Sequence, residues 1–432
     1  MRRFRQILFW SHLVAGLIAG LFIGVMCFTG AVLAFEDEIV GWSERDARHV
    51  RPPAADAGRL PLADLQRKLR AAQPEFRPAS VILLNEPAAA VTFTAGRDNA
   101  FFVNPYTGDV RAPASTKVHD FMHLMTDWHR FLGREGDRRA AGKFVNGICN
   151  LAFCALALTG LYLWMPRTWS WAGVKAIAVF NWRLAGKARD FNWHNVIGLW
   201  SAPILIVLTL TAVPISFRWG GNLIYRLVGE EPPTQPGPAG PAIASSIEIQ
   251  RPSPDTRPLT LDVILAHVQR DFPRWEQITL RTGGAQRGGQ RPGGAAVQPA
   301  GGASAPREAS TPGPEAGRER GSGEGRGGEA RTPQPLTVVV REDNSWPRTA
   351  TTTLTIHPFT GEALKREGYA ELSTGRKVRS WTRFLHTGQA LGWPGQLAAG
   401  LACLGGCFLV YTGVALSWRR FFGRKRTTPA AG

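Results

Sequence analysis

The sequence predicts a membrane protein: a four-transmembrane-helix bundle carrying two small α+β domains, built as an internal duplication. Three observations carry that prediction. Apolar residues, 44% of the 432, concentrate in four long runs. Charged residues, glycine and proline collect between the runs. The second half of the chain repeats the first at fixed offsets.

The runs are Leu8–Phe35, Phe144–Met165, Phe191–Phe217 and Gly395–Trp418. Each is long enough to cross a hydrocarbon core about 30 Å thick. The first opens with Met-Arg-Arg-Phe-Arg, as a signal peptide would, but its apolar stretch is too long. Ala34-Phe35-Glu36 is also a poor cleavage site, so the run reads as a retained helix. The predicted spans are 8–35, 143–165, 191–217 and 386–418. Arg2, Arg3 and Arg5 precede the first. Arg167, Lys175, Arg183, Lys187 and Arg189 lie in the 166–190 loop, and Arg419, Arg420, Arg424, Lys425 and Arg426 in the 419–432 tail. With four crossings these clusters share one side, which the positive-inside rule makes cytoplasmic, together with residues 1–7. Segments 36–140 and 220–385 then lie outside. Trp10, Trp164, Trp169, Trp171, Trp193, Trp219 and Trp418 sit at span ends, where interfacial aromatics belong.

The net charge is +18, from 51 Lys+Arg against 33 Asp+Glu. Topology explains much of that excess. No basic helix interleaved with aromatics is present, so nucleic acid is not an expected partner; membrane lipid is. Cys27, Cys149, Cys154, Cys403 and Cys407 all lie in apolar runs without a C-x-x-C. That pattern argues against a disulfide framework or zinc knuckle and for small apolar packing residues.

The repeat has two offsets. At 182, His12-Leu-Val-Ala-Gly16 matches His194-Asn-Val-Ile-Gly198, Thr29 matches Thr211, and Phe35 matches Phe217. At 253, Trp128, Arg130, Phe131 and Leu132 fall on Trp381, Arg383, Phe384 and Leu385. Gly142 falls on Gly395, Cys154 on Cys407, and Thr159-Gly160 on Thr412-Gly413. The outer segments correspond as well. Helical spacing at Leu62–Leu69 and Leu259–Val268 is followed by strand patterns at Ser80–Asn85, Val91–Thr94, Phe101–Val103, Pro335–Arg341 and Thr353–Ile356. Asn104-Pro-Tyr-Thr-Gly-Asp109 and His357-Pro-Phe-Thr-Gly-Glu362 predict tight turns with glycine at positive φ. Residues 283–333, rich in Gly, Pro, Arg and Glu with almost nothing to bury, read as a disordered insertion in the second outer domain.

These motifs carry a family resemblance. A His-x-x-x-Gly opening a span, an outer domain with a Tyr-Thr-Gly-Asp turn, and a Thr-Gly-Leu-Tyr-Leu-Trp exit resemble the PepSY-associated transmembrane family. The resemblance covers the whole chain apart from the insertion. It implies an inner-membrane protein whose two outer segments are periplasmic PepSY-like domains. Some relatives are ferric-siderophore reductases carrying b-type haem.

Nine histidines are available. His49 and His267 lie in polar segments and read as solvent-exposed, while His357 reads as structural. His12 and His194 open repeat-related spans at matched depth, where an isolated imidazole is costly. His129 and His386 form a second pair at the outer side. They miss strict alignment by four residues, since His129 falls on Thr382 and His386 on Gly133; one helical turn still leaves both on one face. Gly16, Gly198, Gly142 and Gly395 nearby would admit a flat macrocycle or a neighbouring helix. Paired imidazoles from different helices suit bis-axial haem ligation. With no nearby thiolate and no C-x-x-C-H, the expected cofactor is non-covalent haem b, two per chain, on His12, His194, His129 and His386. His119 and His123, spaced i, i+4, read as a solvated helix face, with His123 the alternative to His129.

The functional expectation is an inner-membrane oxidoreductase passing electrons to a periplasmic acceptor, which the family resemblance implies is a ferric siderophore or other ferric complex. No G-x-G-x-x-G follows a strand, so its electrons would come from quinol or a separate reductase. G-x-S-x-G, H-E-x-x-H and a phosphate loop are also missing, and the spans lack the buried carboxylates of ion-coupled transport. The alternative expectation is a non-enzymatic membrane protein whose PepSY domains bind or regulate an exported partner such as a peptidase.

Overall fold

The computed structural model describes residues 2–54, 56–96, 99–113, 116–166, 170–233, 249, 251–253, 256–281 and 334–422. The predicted insertion at 283–333 and most of the 419–432 tail lie outside them. Four described helices are long and apolar enough to cross a membrane: Arg2–Leu33, Arg139–Trp164, Gly186–Ser216 and Trp393–Phe421. They are called here the first to fourth spans. The shortest has 26 residues, about 39 Å at about 1.5 Å per residue, so every span exceeds the apolar thickness of a bilayer.

The spans pack as a square, each against its two neighbours in sequence and the first against the fourth. Small and medium apolar side chains meet inside: Ala19, Ile23, Cys27, Phe153, Leu205, Leu208, Ala399 and Ala402. Ile18 and Leu21, 73% and 75% exposed, point away from the square, as lipid-facing residues do. Polar side chains inside are tied to backbone. Asn150 donates to the Thr209 carbonyl, and Gln396 to that of Ala34. All five cysteines are free thiols.

Between the spans stands a single antiparallel sheet of eight strands. They are β1 (Ser80–Leu84), β2 (Val91–Thr94), β3 (Ala100–Val103), β4 (Val110–Arg111), β5 (Trp275–Arg281), β6 (Leu336–Glu342), β7 (Thr352–Ile356) and β8 (Ala363–Glu367). The order is β4-β3-β2-β1-β5-β6-β7-β8, symmetric about the β1–β5 pair, where Val81 faces Leu280 and Ile82 faces Thr279. The sequence predicts two separate outer domains; the structure joins the two sets of strands edge to edge. The reason is physical. Each four-stranded unit would leave its β1 or β5 edge unpaired, and joining the edges satisfies both.

Helices Leu62–Ala72 and Leu261–Asp271 cover one face of this sheet. Leu62, Leu65, Leu69, Ile264 and Val268 share one continuous core with Val81, Phe93, Ile278, Leu280, Val338 and Val340. The halves are also stitched by Asp262, whose carboxylate accepts from the Leu62 and Ala63 amides at 2.6 and 3.1 Å. It thereby caps the helix of the other half at its positive end. Because both outer segments build one sheet, both lie at the same end of the bundle, here called the sheet end. Helix Trp171–Ala178, between the second and third spans, lies at the far end.

The two predicted turns form as expected. Asn104 Oδ1 accepts from the Tyr106 and Thr107 amides, and His357 Nδ1 accepts from those of Phe359 and Thr360. Gly108 and Gly361 sit at φ +78° and +76°. His357 is therefore structural. His49 is exposed, but His267 is half-buried, with its Nδ1 against Gly361.

The fourth span begins at Trp393, not at His386. His386 instead ends a separate helix, Thr374–His386. Gly388 and Gly392, at φ +75° and +67°, break the chain between them, and Pro394 starts the span. The helix that ends at His386 is anchored at its other end. Ser373 caps it, and Glu230 accepts from the Ser373 hydroxyl and the Gly375 amide. Those bonds hold the Glu230 carboxyl below its ordinary range. A carboxylate depressed in the folded state stabilises above its ordinary pKa and loses that contribution as pH falls through the lowered value. Amide protection across 374–386, measured by hydrogen exchange and corrected for intrinsic rates, should therefore fall on acidification. Glu230→Gln should show the same loss at neutral pH; unchanged protection in that variant would remove Glu230 as the anchor.

Candidate functional site

Two histidines converge at the sheet end of the bundle, and two more, His12 and His194, sit on threonine seats at the far end. At the sheet end, His129 comes from helix Lys117–Phe131 and His386 from helix Thr374–His386. Their ring centroids are 6.2 Å apart, tilted by 45°. Both helices lean on the spans. His129 Nδ1 lies 2.9 Å from Thr29 Oγ1 and 3.1 Å from the Met26 carbonyl, and His386 Nδ1 lies 2.9 Å from the Leu208 carbonyl. Met26 and Leu208 are related by the 182-residue offset, so each imidazole rests on the equivalent backbone acceptor of its own half.

The four-residue misalignment of His129 and His386 is resolved in the connector. Gly142 packs against the Phe131 carbonyl, and Gly395 against that of Gly388. Phe131 and Gly388 each come two residues after their histidine. From Phe131 to Gly142 is 11 residues and from Gly388 to Gly395 is 7. The first half thus carries four extra residues in its turn, and the two imidazoles stand in equivalent places. Gly142 and Gly395 seat the turns that present the histidines. Gly16 and Gly198 make ordinary contacts with Leu156 and Leu409 at 3.9 and 3.6 Å.

At the far end, His12 Nδ1 lies 2.9 Å from Thr159 Oγ1, and His194 Nδ1 lies 2.9 Å from Thr412 Oγ1. The supports come from adjacent spans: the second holds His12 on the first, and the fourth holds His194 on the third. Each threonine spends its own proton on a carbonyl one turn back, Ala155 or Phe408, at 2.7 Å. The hydroxyl therefore accepts, the imidazole Nδ1–H donates, and the Nε2 lone pair is left free. The glycine after each threonine, Gly160 or Gly413, leaves room for the imidazole Cε1, which lies 3.2 or 3.7 Å from where a Cβ would stand. Gly30 does the same for His129 at 3.2 Å. The Thr-Gly pairs, visible in the sequence as repeat landmarks, are histidine seats. Thr29 lies 29 − 12 = 17 residues beyond His12, so the two levels are about 26 Å apart along the first span.

Burial pushes the His129 imidazole down to about 4, helped by the neighbouring His386; burial lowers His386 too. Both rings are therefore neutral near pH 7, the form that binds metals. His123 stands six residues before His129 and is not the ring opposite His386. His119 is not on a solvated face, since its Nε2 meets the buried Glu44 carboxylate at 2.8 Å, where Arg48 also binds. Among the described residues no group of three or more His, Cys, Asp or Glu is arranged to hold a metal ion.

The four histidines and their Thr-Gly seats lie within one continuous match. Residues 9–420 match the family described as PepSY-associated TM region. No curated protein matches the chain. Four spans, the sheet-bearing segments and a family match covering nearly every residue lead to one identification: the chain belongs to the PepSY-associated transmembrane family.

Proposed function

We propose that this protein is an inner-membrane oxidoreductase built by duplication of a two-span unit, holding one b-type haem at each histidine pair. It would deliver electrons to a ferric siderophore or other ferric complex at the sheet end. The observation that carries the reading is the 6.2 Å separation of the His129 and His386 rings. A metal–imidazole bond is about 2 Å, and an imidazole nitrogen lies about 1 Å from its ring centre. Two rings sharing one iron therefore stand about 6 Å apart.

The donor set agrees. Each pair offers two imidazoles and no third ligand among the described residues. Such a set would suit a haem iron and suits zinc or non-haem iron poorly. When bound, haem supplies one-electron chemistry. The protein's own part is to fix the rings and exclude water. Thr159, Thr412, Met26 and Leu208 hold the Nδ1 atoms, and Gly30, Gly160 and Gly413 leave space at Cε1. By the positive-inside rule the basic clusters support an orientation with the termini and far end in the cytoplasm and the sheet in the periplasm.

A visible spectrum of the purified protein tests the reading. Reduced b-type bands are expected, diminished in His12→Ala or His386→Ala and abolished in the double variant. A colourless preparation from haem-replete cells would overturn it and favour a regulatory protein that binds an exported partner.

A further inference from the structure

We propose that Thr159 is a positioning residue that sets the reduction potential of the far-end centre, while the main chain does this work at the sheet end. The inference rests on the haem reading above and concerns how the two centres are made unequal. The juxtaposition that carries it is the different partner of each imidazole Nδ1. His12 faces only the Thr159 hydroxyl, at 2.9 Å, whereas His194 is shared between the Thr412 hydroxyl at 2.9 Å and the Leu409 carbonyl. His386 faces only the Leu208 carbonyl, and His129 is shared between the Met26 carbonyl and Thr29. Thr211, the repeat counterpart of Thr29, donates to the Val207 and Leu208 carbonyls just as Thr29 donates to those of Val25 and Met26, but the His386 Nδ1 bonds the Leu208 carbonyl in place of the Thr211 hydroxyl.

An acceptor on the distal nitrogen does two things to a ligating imidazole. It fixes which nitrogen carries the proton, and it raises the basicity of the other. Higher basicity favours the more highly charged ferric iron. Removing the acceptor therefore favours the ferrous state and raises the potential. A backbone carbonyl cannot be removed by substitution, but a threonine hydroxyl can. Valine has threonine's shape, so Thr→Val deletes the acceptor and leaves the packing. The far end is thus the end whose potential a single side chain can change, and the structure grades the four threonines by what remains after each loses its hydroxyl.

The test is a redox titration of the full-length protein followed by absorbance, with both centres resolved. Thr159→Val should raise the ferrous-to-ferric ratio of one centre at fixed potential by at least threefold, or release its haem, and leave the other centre unmoved. Serine at position 159 should restore the wild-type value. Thr412→Val and Thr29→Val should each act weakly on one centre, because the Leu409 or Met26 carbonyl remains, and Thr211→Val should change neither. The inference is overturned if both haems stay bound and unmoved in Thr159→Val. It is equally overturned if serine fails to rescue, or if Thr211→Val shifts a centre as far. A colourless wild type would remove the haem reading itself, a result distinct from coloured variants with unmoved potentials.

Discussion

Leu280→Asp is expected to unfold both outer segments together. Leu280 is fully buried in β5, facing Val81 of β1 and Val338 of β6. An unpaired carboxylate there has no hydrogen-bond partner, and the desolvation cost is several kcal/mol, on top of about 2 kcal/mol of lost apolar burial. That sum rivals the whole stability of an ordinary domain, about 5–15 kcal/mol. Since β1 shares a ladder with β5, the damage should cross to residues 36–140, more than a hundred positions upstream. Limited proteolysis of the detergent-solubilised protein reads this directly: sites in 62–111 and 334–367 should open in step. Continued protection of 62–111 would mean that the two sets of strands are independent after all.

Gly142→Ala and Gly395→Ala should both dislodge the sheet-end imidazoles. A Cβ at these positions would stand 2.1 Å from the Phe131 carbonyl and 2.3 Å from that of Gly388. The collision is with backbone, which has no rotamer to offer, so the turn that presents His129 or His386 must shift. Overpacking of this kind costs about 1–3 kcal/mol. The larger consequence is positional, because a displacement of about 1 Å at a built site can cost two orders of magnitude in function. Loss of one b-type signal with the other retained is the expected spectrum, accompanied by a lower melting temperature. Gly16→Ala and Gly198→Ala, where the nearest atoms are at 3.9 and 3.6 Å, should leave both signals in place. If all four variants behave alike, the turn geometry is not what places the rings.

Much of this arrangement was legible in the sequence, and the illegible parts have definite causes. Spans announce themselves because each needs some twenty apolar residues in a row, a signal few other structures imitate. His12 and His194 were recognisable because both repeat partners keep the residue at one offset. His129 and His386 share no offset, since four extra residues lie between Phe131 and Gly142, and only coordinates show that the turn absorbs them. The join between β1 and β5 was hidden for another reason. Ser80 pairs with Arg281, 201 residues away, and strand pairing at that distance leaves no periodic trace. Strand β5 itself, Trp-Glu-Gln-Ile-Thr-Leu-Arg, is missing from the predicted strands although it alternates, and it lies directly before the Gly/Pro-rich stretch. In the sequence the Thr-Gly pairs are only repeat landmarks, because nothing in one dimension shows that Thr159 lies beside His12.

The hairpin between β5 and β6 has a consequence for how much chain the fold can carry. Arg281 and Thr337 are direct neighbours across that ladder, so the backbone leaves the sheet and returns to it about 5 Å away. Bridging so narrow a gap costs an entropy that grows only with the logarithm of the number of links. Lengthening or shortening the connection between these strands should therefore change the cost of folding little. The same doorway would accept a longer passenger, or be closed by a bare two-residue bend, with the strands on either side keeping their places.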